Sequence, residues 1–297
     1  YRKDTPESSY KFYNLRRYLY WAEFKKRKSY NQTLEKISFI EKLNEKGFII
    51  LNLTEIFKDK EFLDTISFFK NKYDEIRLNN KDLYSNHKNK KNYLFEYNFE
   101  FNQKVKVITD PFVDVATRYL GTLPILESFQ MWYSPNDSDE LIGSQLLHRD
   151  PEDFRQLKIF IPIEDILIEN GPLNVIDKNE SKILYDNLIE KRLIKKRNQK
   201  IDDKYARNLN LTKNKILLKN NQCALVDTCS CYHFGSRKSL KPRKILFLHL
   251  TSGFSAKTPI FRNYDTENRF SSEKDKLVYG LQKKTINHYK KRQYLTI

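Results

Sequence analysis

Cysteine, glycine and methionine are scarce in this chain, which has 3, 7 and 1 of them among 297 residues. The cysteines, Cys223, Cys229 and Cys231, are odd in number and lie close together. A disulfide framework needs paired cysteines, so we expect a reducing compartment and a cytoplasmic location. Thiolate zinc sites usually use Cys-x-x-Cys pairs, and the chain has no such pair. We expect all three cysteines to be small buried residues.

Long apolar runs are also absent. No stretch approaches the ~20 apolar residues that a membrane-spanning helix needs, and the first residues do not have the pattern of a signal peptide. Hydrophobic residues make up 39% of the chain and aromatic residues 14%, which is typical of a globular protein with a sizeable core. Because neither an internal repeat nor a clean linker is visible, we predict a single domain over 1–297.

Acidic residues are outnumbered by basic residues, 38 to 55, which gives a formal net charge of +17. One interpretation is a surface for nucleic acid, anionic lipid or an anionic substrate. The other is a lysine-rich composition spread over solvated faces, and the interspersed Asp and Glu favour it. Nucleic-acid binding is further disfavoured, because the aromatic residues follow apolar patterns and do not alternate with basic residues on a platform.

The N-terminal part, 1–120, is predicted to be mostly helical. Helical spacing predicts three helices, over 10–21, 55–78 and 105–120. The short apolar run Phe48-Ile-Ile-Leu51 predicts a strand, and the polar stretch 79–92, which contains His87, predicts a loop.

From 121 to 255 the pattern changes to short strands separated by turn residues. We predict strands at 129–133, 144–148, 157–163, 173–176, 215–218, 223–227 and 243–251. Such a series is typical of an antiparallel barrel or sandwich. A basic helical insert at 178–214 interrupts this barrel core, and a basic, aromatic extension follows at 256–297.

Side chains with metal-binding chemistry stand in Ser144-Gln-Leu-Leu-His-Arg-Asp150. On a strand, His148 and Asp150 would point to the same face. A His-x-Asp pair alone is a weak signal, but His233, much later in the chain, offers a second imidazole. Together the three residues would form the two-His-one-carboxylate site that holds Fe(II) and leaves positions open for oxygen and a co-substrate.

Arg243 stands ten residues after His233, at the start of a predicted strand. A co-substrate that binds iron through a keto-acid end needs a cation for its distal carboxylate. A guanidinium suits this role, because it forms two parallel hydrogen bonds with a carboxylate. Taken alone, Arg243 beside Pro242 would be a solvated strand end. Its place after His233 favours the pocket role.

These motifs together resemble the phytanoyl-CoA dioxygenase family of Fe(II)/2-oxoglutarate oxygenases. The similarity begins at Glu45-Lys-Gly-Phe-Ile-Ile-Leu51 and extends to about Thr251. Its specific parts are His148-Arg-Asp150, Asn170-Gly-Pro172, Asp227-Thr-x-x-x-x-His233 and Arg243. The resemblance implies a mainly β fold with flanking α-helices, built on a double-stranded β-helix (jelly-roll, cupin-like) barrel.

The resemblance also implies roles for particular residues. By it, His148, Asp150 and His233 bind Fe(II), and Arg243 binds the distal carboxylate of 2-oxoglutarate. Three further residues fall where family members line the co-substrate pocket: Met131, Gln145 and Lys158. An inward-facing Lys158 needs an anion beside it, either 2-oxoglutarate or an acidic substrate. His249, deep in a strand, is expected to be a core histidine and not a fourth ligand.

The reaction implied by the resemblance uses O2 and 2-oxoglutarate to hydroxylate a substrate C–H bond, and it releases succinate and CO2. Related halogenases have a small residue at the position of Asp150, so the carboxylate favours hydroxylation. The net charge, the insert and the basic tail favour a small-molecule substrate that is anionic or carrier-linked, for example through CoA or a nucleotide.

Three alternatives stay open. One is a cupin-like sugar isomerase or epimerase in which His148 acts as a base instead of a metal ligand. Another is a non-catalytic basic binding module. The third is an oxygenase that modifies a protein, which the sequence does not separate from one that modifies a small molecule. Iron content and 2-oxoglutarate-dependent succinate release distinguish the first two from an oxygenase.

Overall fold

The computed structural model describes residues 6–32, 38–79, 94–137, 139, 141, 143–194, 199–235, 237–255, 264, 270–281 and 294–295. Helices make up most of the described residues of its N-terminal part. These helices are α1 (Pro6–Leu19), α2 (Trp21–Gln32), α3 (Ile40–Lys46), α4 (Leu53–Ile56), α5 (Lys60–Asn79) and α6 (Gln103–Leu120). Two strands lie among them, β1 (Phe48–Asn52) and β2 (Phe95–Phe99).

Strands dominate the part that follows. They are β3 (Pro124–Ser134), β4 (Gln156–Pro162), β5 (Leu173–Val175), β6 (Asn214–Ile216), β7 (Gln222–Val226), β8 (His233–Phe234), β9 (Arg243–Ser252) and β10 (Tyr294–Leu295). Three helices lie between them, α7 (Lys178–Glu190), α8 (Lys204–Asn208) and α9 (Glu273–Tyr279). The large sheet has seven strands in the order β1-β7-β4-β9-β3-β2-β10, and the small sheet has three in the order β6-β5-β8. Antiparallel pairing joins all these neighbours except β2 and β10.

The two faces of the large sheet bury different side chains. On β9, Ile245 and Phe247 point towards the small sheet and pack with its Leu173. Leu246 and Leu248, which alternate with them, point to the other side, where they belong to the core formed with helices α5 and α6. This alternation is the two-residue period of a strand, and it leaves a lined space between the sheets.

Helix α6 covers the outer face of the large sheet and has a defined start and end. The Asn102 side chain accepts a hydrogen bond from the Val105 N–H at 3.0 Å, and Gly121 ends the helix with φ 74°. Its core-facing residues follow helical spacing along one side of the helix: Val105, Ile108, Phe112, Val115, Ala116 and Tyr119. This spacing is the pattern from which the helix was predicted.

Gly47 places the beginning of the large sheet against the segment that leads to His233. It joins α3 to β1 with φ 76°, a left-handed conformation that favours glycine. A Cβ at this position would also collide with the Cys231 sulfur. Cys231 is fully buried, and the other two cysteines are buried as well, as predicted.

The strand predicted at 144–148 is wrong. Residues 143–145 form a short 3-10 turn, and only isolated bridges follow, Leu147 to Ile201 and His148 to His233. The chain here passes between two different partners, the insert on one side and β8 on the other, so no continuous ladder forms. His148 and Asp150 therefore come together on irregular backbone and not on one face of a strand.

The insert at 178–214 contains α7 and α8. Its apolar side chains pack on Leu147, Tyr232 and Phe234, which belong to the segments that carry the two histidines. Part of the basic run Lys191–Arg197, the loop with His87 and most of 256–297 lie outside the described residues. Among the residues that the structure describes, no helix has the length and apolar character needed to cross a membrane.

Candidate metal centre

His148, Asp150 and His233 meet between the sheets. The backbones of the two histidines pair, with N–O distances of 3.1 Å and 2.9 Å, and their ring centroids lie 4.4 Å apart. His148 Nε2 is 3.6 Å from Asp150 Oδ1, and His233 Nε2 is 3.7 Å from Asp150 Oδ2. All three residues are at least nine-tenths buried, and their ligand atoms lie within 4.8 Å of one another.

The hydrogen bonds of the two imidazoles direct their Nε2 atoms towards Asp150. His148 Nδ1 is 2.7 Å from the Leu146 carbonyl oxygen, and His233 Nδ1 is 3.1 Å from the Cys231 carbonyl oxygen. A carbonyl oxygen can only accept, so each Nδ1 carries the proton. Each Nε2 of a neutral ring then presents a lone pair, which is the form that binds a metal.

The electrostatics of the site favour the same protonation states. Burial lowers the pKa of His148, and burial together with the neighbouring His148 lowers the pKa of His233 to about 3. Burial alone would raise the pKa of Asp150, but Lys158 and the two histidines hold it well below its usual value. Two neutral imidazoles and one carboxylate result, and this donor set fits a divalent iron ion.

Lys158 contacts the carboxylate of the triad directly. Its Nζ donates to Asp150 Oδ2 at 2.6 Å, and this neighbour raises the pKa of Lys158 although burial acts to lower it. The lysine lines the cavity with Phe160 from the same face of β4. The anion that meets Lys158 in the structure is Asp150, and a role in binding 2-oxoglutarate or an acidic substrate stays a prediction.

The triad opens into a cavity of about 450 Å3 between the sheets. Arg243 and Gly235 line it, and Arg243 is 5% exposed. The Arg243 Nη1 donates to the Gly171 carbonyl oxygen at 3.2 Å, and burial lowers the pKa of the guanidinium to about 10. A Cβ on Gly235 would come within 3.1 Å of Nη1, so this glycine leaves room beside the guanidinium.

Two predicted pocket residues do not line this cavity. Met131 is fully buried in the core on the helix side of the large sheet, because its neighbours Gln130 and Trp132 take the opposite face of β3. Gln145 is buried in the 3-10 turn, where its carbonyl oxygen accepts from Arg237 Nε at 2.9 Å. The neighbouring Ser144 lines the cavity instead.

Sequence reasoning also missed several lining residues. The alternation along β3 and β4 could have found Gln130, Trp132 and Phe160, once the register was known. His249, expected in the core, lines the cavity from β9 while remaining 6% exposed. Residues of β2 line it as well, Glu96 and Asn98. That strand was not predicted, because it directly follows a polar stretch with no turn signal.

No protein-family model matches this chain, and no curated protein matches it in sequence. Solved structures do match. The epimerase SnoN, in complex with Fe3+, alpha-ketoglutarate and nogalamycin RO, has a TM-score of 0.52 and 10% identity, covering 86% of this chain and 98% of SnoN. EctD from S. alaskensis with 2-oxoglutarate and 5-hydroxyectoine has a TM-score of 0.51 and 15% identity, covering 73% of this chain and 76% of EctD.

AviO1 from Streptomyces viridochromogenes also matches, with a TM-score of 0.51 and 11% identity over 76% of this chain and 99% of AviO1. Similarity at these identities establishes the fold. The chain has the double-stranded β-helix fold of Fe/2-oxoglutarate-dependent enzymes, as the sequence predicted. In that fold it buries a His-Asp-His triad.

Proposed function

We propose that the protein is an Fe(II)/2-oxoglutarate-dependent dioxygenase that hydroxylates a C–H bond of a small molecule and releases succinate and CO2. The observation that carries the proposal is the buried triad His148, Asp150 and His233, with its ligand atoms within 4.8 Å. Its donor set is the facial triad of non-haem Fe(II) oxygenases. The bound complexes of SnoN and EctD support the same cofactor and co-substrate.

In this proposal the protein side chains hold and orient what the metal and co-substrate need. His148 and His233 bind Fe(II) through Nε2, and Asp150 binds through its carboxylate. When bound, Fe(II) with 2-oxoglutarate supplies the oxidative chemistry that activates O2. Arg243 binds the distal carboxylate of 2-oxoglutarate, because it is a buried guanidinium at the cavity wall and Gly235 leaves room beside its Nη1.

Epimerisation is the second candidate, because the fold is shared with the epimerase SnoN. We favour hydroxylation on the sequence resemblance and on the carboxylate at Asp150. An isomerase or epimerase that uses His148 as a base without metal is disfavoured. The His148 ring is fixed through Nδ1 to the Leu146 carbonyl, and its Nε2 lies beside Asp150 and faces a second imidazole, as expected for a ligand set.

Succinate release from 2-oxoglutarate tests the class. With Fe(II) and O2 the wild-type protein should form succinate, and Asp150→Ala should lose this activity, because two histidines alone hold the metal weakly. The matched control is Glu164→Ala, because Glu164 is an exposed residue whose carboxylate lies outside the cavity. Succinate release that persists in Asp150→Ala would contradict the iron triad.

The same assay tests Arg243. In Arg243→Leu, the KM for 2-oxoglutarate should rise ~10–100-fold, because charge-assisted hydrogen bonds contribute roughly 1.5–3 kcal/mol. Lys244→Leu is the control, since Lys244 is the next residue of β9 and pairs with Asp74 outside the cavity at 3.2 Å. An unchanged KM in Arg243→Leu would assign the distal carboxylate to another residue.

The charge of the substrate is a separate question. The net charge favours an anionic or carrier-linked substrate, but the cavity lining carries the carboxylates Glu96, Glu127 and Glu152 as well as Lys158 and Arg243. Turnover of paired anionic and neutral analogues across a salt series tests the anionic proposal. A preference for the anionic analogue that weakens with salt would support it, and a salt-independent preference for the neutral one would contradict it.

A further inference from the structure

Gln156 lies behind the triad and contacts its carboxylate. It is the first residue of β4 and is fully buried. Its Nε2 donates to Asp150 Oδ2 at 3.2 Å and to Thr228 Oγ1 at 2.6 Å. Its Oε1 lies 2.7 Å from His249 Nε2. The side-chain amide therefore links a wall residue of the cavity, His249, to the carboxylate of the triad.

The partners of the Gln156 amide determine its orientation. Asp150 is ionised and can only accept, so the NH2 group and not the oxygen must face it. The amide oxygen then faces His249, which must donate from Nε2. The reverse orientation would place an amide oxygen against a carboxylate oxygen and leave both without a proton. His249 thus holds the amide in the one orientation that serves Asp150.

Two donors converge on one oxygen of Asp150. Lys158 Nζ donates to Oδ2 at 2.6 Å, and Gln156 Nε2 donates to the same Oδ2 at 3.2 Å. A carboxylate oxygen has two lone-pair sites, so these donors engage both sites of Oδ2. The other oxygen, Oδ1, lies 3.6 Å from His148 Nε2, and Oδ2, with both lone-pair sites engaged, lies 3.7 Å from His233 Nε2.

We infer that Gln156, oriented by His249, is a positioning residue that makes Asp150 bind the metal through Oδ1 alone. The inference rests on the proposed metal site and adds two residues that act on it without touching the metal. Gln156 and Lys158 fix the rotation of the carboxylate before a metal arrives, so less ordering is needed on binding. Partners of metal ligands in this position typically contribute 10–100-fold to metal affinity.

The test is the affinity of the purified full chain for Co(II), used alone as the probe and followed by its visible absorption. Gln156→Met keeps the length of the side chain but removes the amide, with its hydrogen bonds to Asp150 and Thr228. We expect its Co(II) affinity to fall ~10–100-fold. Its Co(II) spectrum should also change, because one of the two lone-pair sites of Oδ2 is then open to the metal, while Lys158 still engages the other.

The matched control is Gln130→Met. Gln130 is another buried amide on the cavity wall, but it bonds Asn98 and Trp132 and not Asp150. Its substitution should leave Co(II) affinity within about 3-fold of wild type and the spectrum unchanged. Equal Co(II) affinity and identical spectra in Gln156→Met and wild type would overturn the inference alone. Failure of the wild-type protein to bind Co(II) would instead overturn the metal site itself.

A second variant keeps the inference testable if Gln156→Met does not fold. His249→Phe leaves Gln156 in place but removes the donor that orients its amide. We expect a smaller fall in Co(II) affinity, about 3–10-fold, because Lys158 still holds Oδ2. Wild-type affinity in His249→Phe, with circular dichroism showing the native fold, would contradict the orienting role of His249.

Discussion

Asp150 is the residue that Lys158 and both histidines of the site approach. It is almost fully buried, and the charged Lys158 beside it holds its pKa well below the usual value. Lys158 is the partner that carries a full positive charge, and the two side chains are joined at 2.6 Å. Buried pairs of this kind contribute little net stability, but they are costly to break on one side only.

Replacement of Lys158 therefore has a predicted cost in stability. Lys158→Met leaves a buried carboxylate without its cation, and we expect the free energy of unfolding at neutral pH to fall by roughly 3–5 kcal/mol. The double variant Lys158→Met/Asp150→Asn should recover much of this loss, because neither charge remains. Urea unfolding gives the free energy of unfolding of the wild type, the single variant and the double variant. If Lys158→Met were as stable as wild type, Lys158 would not offset the cost of burying the charge of Asp150.

At the scale of elements, an ion-pair cluster joins the insert to the segment that carries His148. Arg237 forms two hydrogen bonds of 2.8 Å with Asp203, just before α8, and donates from Nε to the Gln145 carbonyl oxygen. Lys213 adds a third contact to Asp203 at 3.0 Å. Nearby, Ile201 donates its N–H to the Leu147 carbonyl oxygen at 2.9 Å. The insert thus supports the segment that carries His148.

The ion pair gives this attachment a pH dependence. Hydrogen bonds from Arg237 lower the pKa of Asp203 to about 2. The folded-state pKa lies below the unfolded one, so the stabilisation is present above pH ~4 and is lost as the pH falls towards 2. We expect Asp203→Asn to lose about 1–2 kcal/mol at neutral pH, and the difference from wild type should shrink below pH 4.

Hydrogen exchange and urea unfolding across pH measure this effect. In Asp203→Asn, amides of the insert and of 143–148 should exchange faster at neutral pH. Asp202→Asn is the matched control, since the Asp202 side chain accepts from the nearby backbone N–H of Lys204, at 2.7 Å, and not from Arg237. A stability difference that stays constant from pH 7 to pH 2 would contradict a role for the Asp203 carboxylate.

The elements with regular periodicity were predictable, and those defined by tertiary partners were not. Helix α6 and strands β4 and β9 follow from the spacing of their apolar residues. The segment 144–148 has an apolar pattern, yet its backbone bonds are divided between the insert and β8. Strand β8 has only two residues, and it forms because β5 pairs with it. Local sequence does not encode such pairings.

The meeting of His148, Asp150 and His233 was predictable because their chemistry is specific, whereas the residues that line the cavity were not. Two histidines and an aspartate form a rare donor set, so spacing and residue type were enough to nominate them. The positions of Met131 and Gln130 depend on a strand register that shifts at a bulge between Leu126 and Ser128. Gln156 carries no recognisable signal, because a buried amide acquires its role only from its neighbours.

At the scale of the whole molecule, the net positive charge of the chain contrasts with the buried position of the triad. The chain carries a net charge of +17, but the triad is buried between two sheets, where it lines the cavity. Helices cover the outer face of the large sheet, and the insert packs beside the segments that carry the two histidines. Among the residues described, the molecule therefore has one group of buried side chains that could hold a metal ion, and its central predicted property is the binding of Fe(II) and 2-oxoglutarate there.

Anaerobic titration of 2-oxoglutarate into the Fe(II)-loaded protein tests this property most directly. A keto acid that chelates Fe(II) gives a visible charge-transfer absorption, so one measurement reports both metal and co-substrate. We predict a saturable band in the wild-type protein, at one equivalent of Fe(II), that is absent from Asp150→Ala. A wild-type protein that gives no band with Fe(II) and 2-oxoglutarate, or an equal band from Asp150→Ala, would contradict the account.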